Sequence, residues 1–181
     1  EKCAFIFDDV CIPPQKQIGV HSHSQWELSY VVCGAGTRTV GDFTAPFTQS
    51  DIVLIPPDVP HVWRFDPAVT DASGNISNIS VFFSPSLLAG MKDIFPEIAS
   101  SVGRVESLEH AVAYRGEQNL TVLRLLEEMR GKTSEKRLPT MLRLIIAISD
   151  VSHGMFTGRN SSLTRTERRM EKVRVYSDCN Y

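Results

Sequence analysis

Three histidines and one glutamate in this chain are spaced so that they could hold a metal ion. The run Gly19-Val-His21-Ser-His23-Ser-Gln-Trp-Glu27-Leu-Ser-Tyr-Val-Val-Cys-Gly34 is answered downstream by Pro56-Pro57-Asp58-Val59-Pro60-His61. Side chains on an extended strand alternate between faces with a period of two. His21, His23 and Glu27, all at odd positions, therefore share one wall of a pocket if the segment is extended. Two imidazoles and a carboxylate are the ligand types of non-haem iron, and with the third imidazole of His61 the set also suits zinc, nickel, copper or manganese. The same four side chains could instead hydrogen-bond one another, water or an organic ligand without any metal. Trp63 and Phe65 share the parity of His61, which makes Trp63, Phe65, Glu27 and His61 the candidate ligand-binding set. Trp26 and Tyr30 should face away from Glu27. Cys33 has the parity of Glu27, but a free cysteine there reads as a small buried hydrophobe, and no residue is assigned a catalytic role.

The elements that must position these residues come first as short strands and then as helices. Ala4 to Ile12, Ile18 to His23, Trp26 to Cys33, Thr37 to Val40, Asp51 to Ile55, Val62 to Phe65 and Ile76 to Phe83 are strand-like runs separated by turn residues, the pattern of a β-barrel or jelly roll. Gly34-Ala35-Gly36 and Val40-Gly41-Asp42 supply tight turns, Pro56-Pro57 ends a strand, and Asp66 to Asn78 is a surface loop. Pro85 stops the last strand, and an irregular segment follows to a short strand at Val112 to Tyr114. From Asn119 the period becomes helical, and helices are expected over 119–131 and 135–153, the second capped by Thr133 or Ser134. The second helix carries two apolar stripes: Leu138, Met141, Leu142, Ile145 and Ile148, and then Leu144, Ile148, Val151 and Met155. One stripe should pack on the body and the other, through Leu144 and Val151, on a second copy; a single deep core is the alternative.

Composition sets the frame. With 181 residues, 42% hydrophobic and 22% charged, the chain can bury one good core with a helical extension. A net charge of −2 gives no global reason to sit on nucleic acid or an anionic membrane. No apolar run approaches the roughly 20 residues that span a bilayer, no leader precedes the fold, and Cys3, Cys11, Cys33 and Cys179 show no C-x-x-C pairing. A soluble, cytoplasmic protein with reduced thiols is expected. His110 and His153 lie outside the barrel and read as ordinary packing or surface residues.

The spacing His21-x-His23-x3-Glu27-x6-Gly34 resembles the first motif of the cupin superfamily, and Pro56 and His61 match part of the second. Asp58 stands where that motif has glycine and Phe65 where it has asparagine, departures that weigh against an enzyme. Ser107 to Gly116, the leucine-rich helix that follows and the close from Thr164 to Tyr181 narrow the resemblance to the regulatory half of AraC-type bacterial transcription factors. That resemblance implies a mainly β, cupin-like double-stranded barrel with C-terminal helices. It divides the chain into an effector-sensing barrel with its connecting segment (1–116), a helical dimerisation unit (117–158), and a linker with the start of a DNA-binding half (159–181). The expected partners are a small-molecule effector, sugar-like or acidic, a second copy of the chain, and DNA only through the missing half. One divalent ion of zinc, nickel, iron or manganese is the expected cofactor. A small metal-dependent cupin enzyme, a dioxygenase or a sugar isomerase, is the alternative. The tail makes sense locally too: Thr164-x-x-Glu167 is a capping box, and Met170, Val173 and Tyr176 form an apolar stripe beside the basic run from Arg165 to Arg174.

Overall fold

Alternation along the strands sorts this chain into two layers of buried side chains with a sheet between them. The computed structural model describes residues 3–152 and 154–159. Among these, the strands are β1 (Phe5–Ile12), β2 (Trp26–Cys33), β3 (Gly36–Val40), β4 (Phe43–Phe47), β5 (Ile52–Ile55), β6 (His61–Phe65), β7 (Ile76–Phe83), β8 (His110–Ala113) and β9 (Met155–Arg159). The helices are α1 (Pro85–Ile94), α2 (Ala99–Glu106), α3 (Gly116–Met129) and α4 (Ser134–Ile148). A six-stranded sheet runs in the order β1-β7-β2-β5-β8-β9 and a three-stranded one in the order β4-β3-β6. The architecture is mainly β and cupin-like with several C-terminal helices, but the two sheets do not join into one closed ladder as a barrel would.

Even-numbered residues of β2, namely Trp26, Leu28 and Tyr30, face the helices with Ile52, Leu54, Ile79 and Val81. Buried residues of all four helices, from Leu88 on α1 to Ile145 on α4, complete that core. Odd-numbered residues of β2 face the small sheet instead. Being covered on both faces, β5 reads Ile-Val-Leu-Ile with all four residues buried. The helical layer is tied down by polar contacts as well. Tyr30 donates to Glu127 on α3 (3.1 Å), and burial with that carboxylate pushes its phenol up to about 12. Tyr114 donates to the Ile148 carbonyl (2.8 Å), satisfying an end of α4 that has no partner within the helix.

Several expectations are corrected. Ile18 to His23 is not a strand; within it only His21 makes an isolated bridge, to His61. Strand β4 escapes the sequence pattern because Pro46 interrupts it; the proline is tolerated because β4 is an edge strand. The segment after Pro85 is two helices rather than irregular chain. Its signal is Ser84-Pro85: the serine hydroxyl accepts from Leu87 N (3.1 Å) and the proline sits in the first turn. The last helix ends at Ile148, not 153, and Met155 begins β9, which pairs with β8. Leu144, expected on a partner-facing stripe, is fully buried within the chain, as are Met141, Ile145 and Ile148, so residues of both stripes enter one deep core, while Leu138 and Met155 are exposed. His153 and the segment from 160 to 181, with its capping box and basic run, lie outside the described residues.

Candidate functional site

Two turns bring the histidines together. The peptide groups of His21 and His61 bond to each other in both directions (His21 N to His61 O, 3.1 Å; His61 N to His21 O, 2.9 Å). Asp58 N donates to the His23 carbonyl (2.7 Å), which docks the Pro56-Pro57-Asp58 turn on the first motif. Asp58 has φ of 62°, the left-handed region that favours glycine, and aspartate tolerates it better than most residues. The glycine that the second cupin motif carries at this place thus has a backbone reason, and Asp58 meets the same demand. Glu27 arrives from β2 on its inner face.

The ligating atoms of His21, His23, Glu27 and His61 all lie within 4.8 Å of one another. Nδ1 of each imidazole is bonded to a main-chain carbonyl: His21 to Gly19 (3.0 Å), His23 to Gln25 (3.0 Å) and His61 to Val59 (2.8 Å). A carbonyl only accepts, so each Nδ1 carries the proton. In the neutral ring Nε2 is then a bare lone pair. Nε2 of His23 and of His61 each stand 3.0 Å from Glu27 Oε2. Lone pairs facing a carboxylate oxygen repel unless extra protons or a cation lie between them. A divalent ion with nitrogen and oxygen ligands at about 2.0–2.2 Å resolves the conflict at all the centres at once, and main-chain carbonyls on Nδ1 are the outer support that such ligands use. The donor set therefore fits one transition metal ion.

Charge in the cluster follows from the same contacts. Burial pushes the Glu27 carboxyl up, but the two imidazoles outweigh it and hold the group well below the usual carboxylate range. Burial pushes His61 down, and the Glu27 contact overrides this to leave it raised. His21 is lowered, by burial first and the nearby His61 second.

Glu27 Oε1 accepts from Ser80 (2.9 Å), Asn78 donates to Ser80 (3.1 Å) and to Ser29 (3.2 Å), and this chain of bonds runs down one wall of a cavity of about 130 Å³. Trp63, Phe65 and Glu27 line that cavity together with His21. His23 and His61 are not in its walls; His61 is 1% exposed and backs the cluster. Trp26 and Tyr30 face the helices, as parity requires. Sequence reasoning does not find Asp8, Val10 and Ile12 of β1, Gln17, or Asn78, Ser80 and Phe82 of β7, all of which line the cavity. A signal exists for two of them: Asn78 and Ser80 stand at alternate positions of Ile-Ser-Asn-Ile-Ser-Val-Phe-Phe, which places two polar groups on one face of a buried strand, with Ser77 at the opposite parity.

Comparison with known proteins bears on this geometry. No curated protein sequence matches the chain. Among solved structures, the AraC-like transcriptional activator CuxR is similar over 88% of this chain at 9% identity, with a TM-score of 0.54. The plu4264 protein of Photorhabdus luminescens is similar over 46% of this chain at 21% identity (TM-score 0.36). Oxalate decarboxylase of Bacillus subtilis, in a structure concerned with its Mn(II) centres, is similar over 46% at 18% identity (TM-score 0.34). This chain spans 56%, 66% and 22% of those three chains respectively. At such identities the likeness is one of fold. Residues 9–68, which carry all four members of the cluster, match the model of the Cupin domain family.

Proposed function

We propose that this chain is the small-molecule-sensing part of an AraC-type transcriptional regulator, with its effector in the cavity beside Glu27 and one divalent transition metal held by His21, His23, Glu27 and His61. The observation that carries this reading is the arrangement of two faces on one sheet. A ligand-sized cavity with a metal-ready cluster lies on the inner face of the six-stranded sheet, and a four-helix layer shares its core on the outer face. The fold likeness to an AraC-like activator over 88% of the chain supports it, because that span takes in helices as well as strands. A metal here supplies a Lewis acid at the inner end of the cavity; Trp63 and Phe65 supply aromatic walls, and Ser80 fixes the carboxylate.

In this proposal the sensing part (1–116) and the dimerising part (117–158) are functional divisions laid over one shared core. Self-association is assigned to the exposed apolar residues of the helix pair, Leu120, Leu138 and Ile146, in place of Leu144. Ile146→Glu should give a folded monomer by sedimentation, and a monomeric unmodified chain would remove the assignment. The metal is tested by elemental analysis of protein purified without added metal. The effector is tested by thermal shift against a panel of sugars and small acids, and DNA reading by gel shift of the complete gene product with and without effector. Stabilisation by a ligand that is recovered unchanged, together with effector-dependent operator binding, is expected. Consumption of the ligand would favour the second reading, a metal-dependent dioxygenase or isomerase, for which the His/Glu donor set itself speaks.

A further inference from the structure

Resting on the proposed effector cavity, we infer that the ligand is a small single-ring molecule that presents a protonated amine to Asp8 at the cavity mouth. Asp8 belongs to β1, whose inner-face residues Asp8, Val10 and Ile12 form one wall. The residue is exposed and yet lines the cavity, which puts it at the mouth. The other carboxylate of the cavity, Glu27, has its oxygens taken by His23, His61 and Ser80. The Asp8 carboxylate makes no hydrogen bond among the described residues, so its acceptor capacity is open to a ligand.

Lysine and arginine are absent from the walls among the described residues, and apart from Glu27 and His21 of the metal-ready cluster and the Trp63 indole their remaining polar members are neutral amides and hydroxyls such as Gln17, Asn78 and Ser77. An anion at the mouth would meet Asp8 with no lysine or arginine beside it, the proposed metal lying at the inner end with Glu27, whereas an ammonium gains a charge-assisted bond. The apolar middle, walled by Trp63, Phe65, Phe82 and Ile76, suits a ring. A cavity of about 150 Å³ holds benzene, so about 130 Å³ with an open mouth matches one ring whose substituent reaches outward. Recognition is then divided by depth: ring in the aromatic middle, amine at Asp8.

Calorimetric titration of the metal-loaded chain with benzylamine, benzyl alcohol and benzoate tests this. Benzylamine should bind the unmodified chain more tightly than benzyl alcohol. Asp8→Asn should weaken benzylamine about tenfold or more, the worth of a charge-assisted bond of about 1.4 kcal/mol, and change benzyl alcohol less. Asp8→Lys should tighten benzoate by a similar factor. Metal content must be equal in all three proteins, which shows that the His/Glu cluster is intact. An amine-to-carboxylate affinity ratio that both variants leave unchanged, benzylamine no better than benzyl alcohol, or no binding of any probe overturns the inference. The cavity as effector site falls separately, if the wider effector panel gives stabilisation that Trp63→Ala and Glu27→Gln both leave untouched.

Discussion

Two carboxylates are buried among the described residues, and they are neutralised by different kinds of partner. Glu27 meets two imidazoles, each at 3.0 Å, beside a cavity. Asp51, just before β5, meets the guanidinium of Arg38 at 3.0 Å and that of Arg115 at 3.2 Å. Arg38 is 1% exposed, and its two terminal nitrogens make no hydrogen bond among the described residues. Guanidinium stays charged at any pH at which a protein folds, so the Asp51 group is a permanent ion pair. Imidazole can be neutral, protonated or bound to metal, so the charge opposite Glu27 can be exchanged. A buried carboxylate therefore becomes scaffold or site according to whether its counter-charge can leave.

The largest test of that contrast is Asp51→Asn. It leaves the buried Arg38 charge uncompensated, and a loss of about 3–5 kcal/mol in denaturant unfolding is expected. A loss below about 1 kcal/mol would mean that the two groups do not differ as argued. Glu27→Gln comes next: the chain should stay folded, because the site's charges can adjust, while elemental analysis finds the metal gone. Retention of stoichiometric metal would show that Glu27 is no ligand. Ser80→Ala removes only the hydroxyl that fixes Glu27, and metal affinity measured by chelator competition should fall about 10- to 100-fold. Arg115→Gln should matter least. Its side chain is 47% exposed, and exposed pairs are worth at most about 1 kcal/mol, so an unfolding midpoint close to that of the unmodified chain is expected.

Much of the site is legible in the residues and their spacing, although partly for a different reason than geometry supplies. The odd parity of His21, His23 and Glu27 groups them as the structure does, yet residues 22–25 belong to no strand. Convergence comes from the His21 to His61 bridge and the Asp58 to His23 bond, long-range contacts that strand periodicity does not encode. The family spacing carries that information; the residues alone do not. Strands such as Trp26 to Cys33 are readable because a two-residue alternation is local. The second apolar stripe of α4 reads as a surface for a partner because nothing local reveals that α3 and α2 flank that helix. The cavity walls from β1 and β7 are hidden for the same reason: adjacency in a sheet is decided by pairing between distant segments.

The place of β1 has a consequence for the order of folding. Within the sheet its neighbour is β7, Phe5 opposite Phe83 and Ile12 opposite Ile76, so the first strand of the described chain waits for one that five others separate from it. Closing so long a loop is entropically late, and an edge strand with one neighbour is also the easiest to detach. The wall bearing Asp8, Val10 and Ile12 is thereby delivered late during folding, after β7 is in place, and released before β7 and β2 on local opening. Amide exchange along β1 should outpace that along β2, and entry to the cavity can proceed by fraying this one strand while the rest of the sheet stays intact.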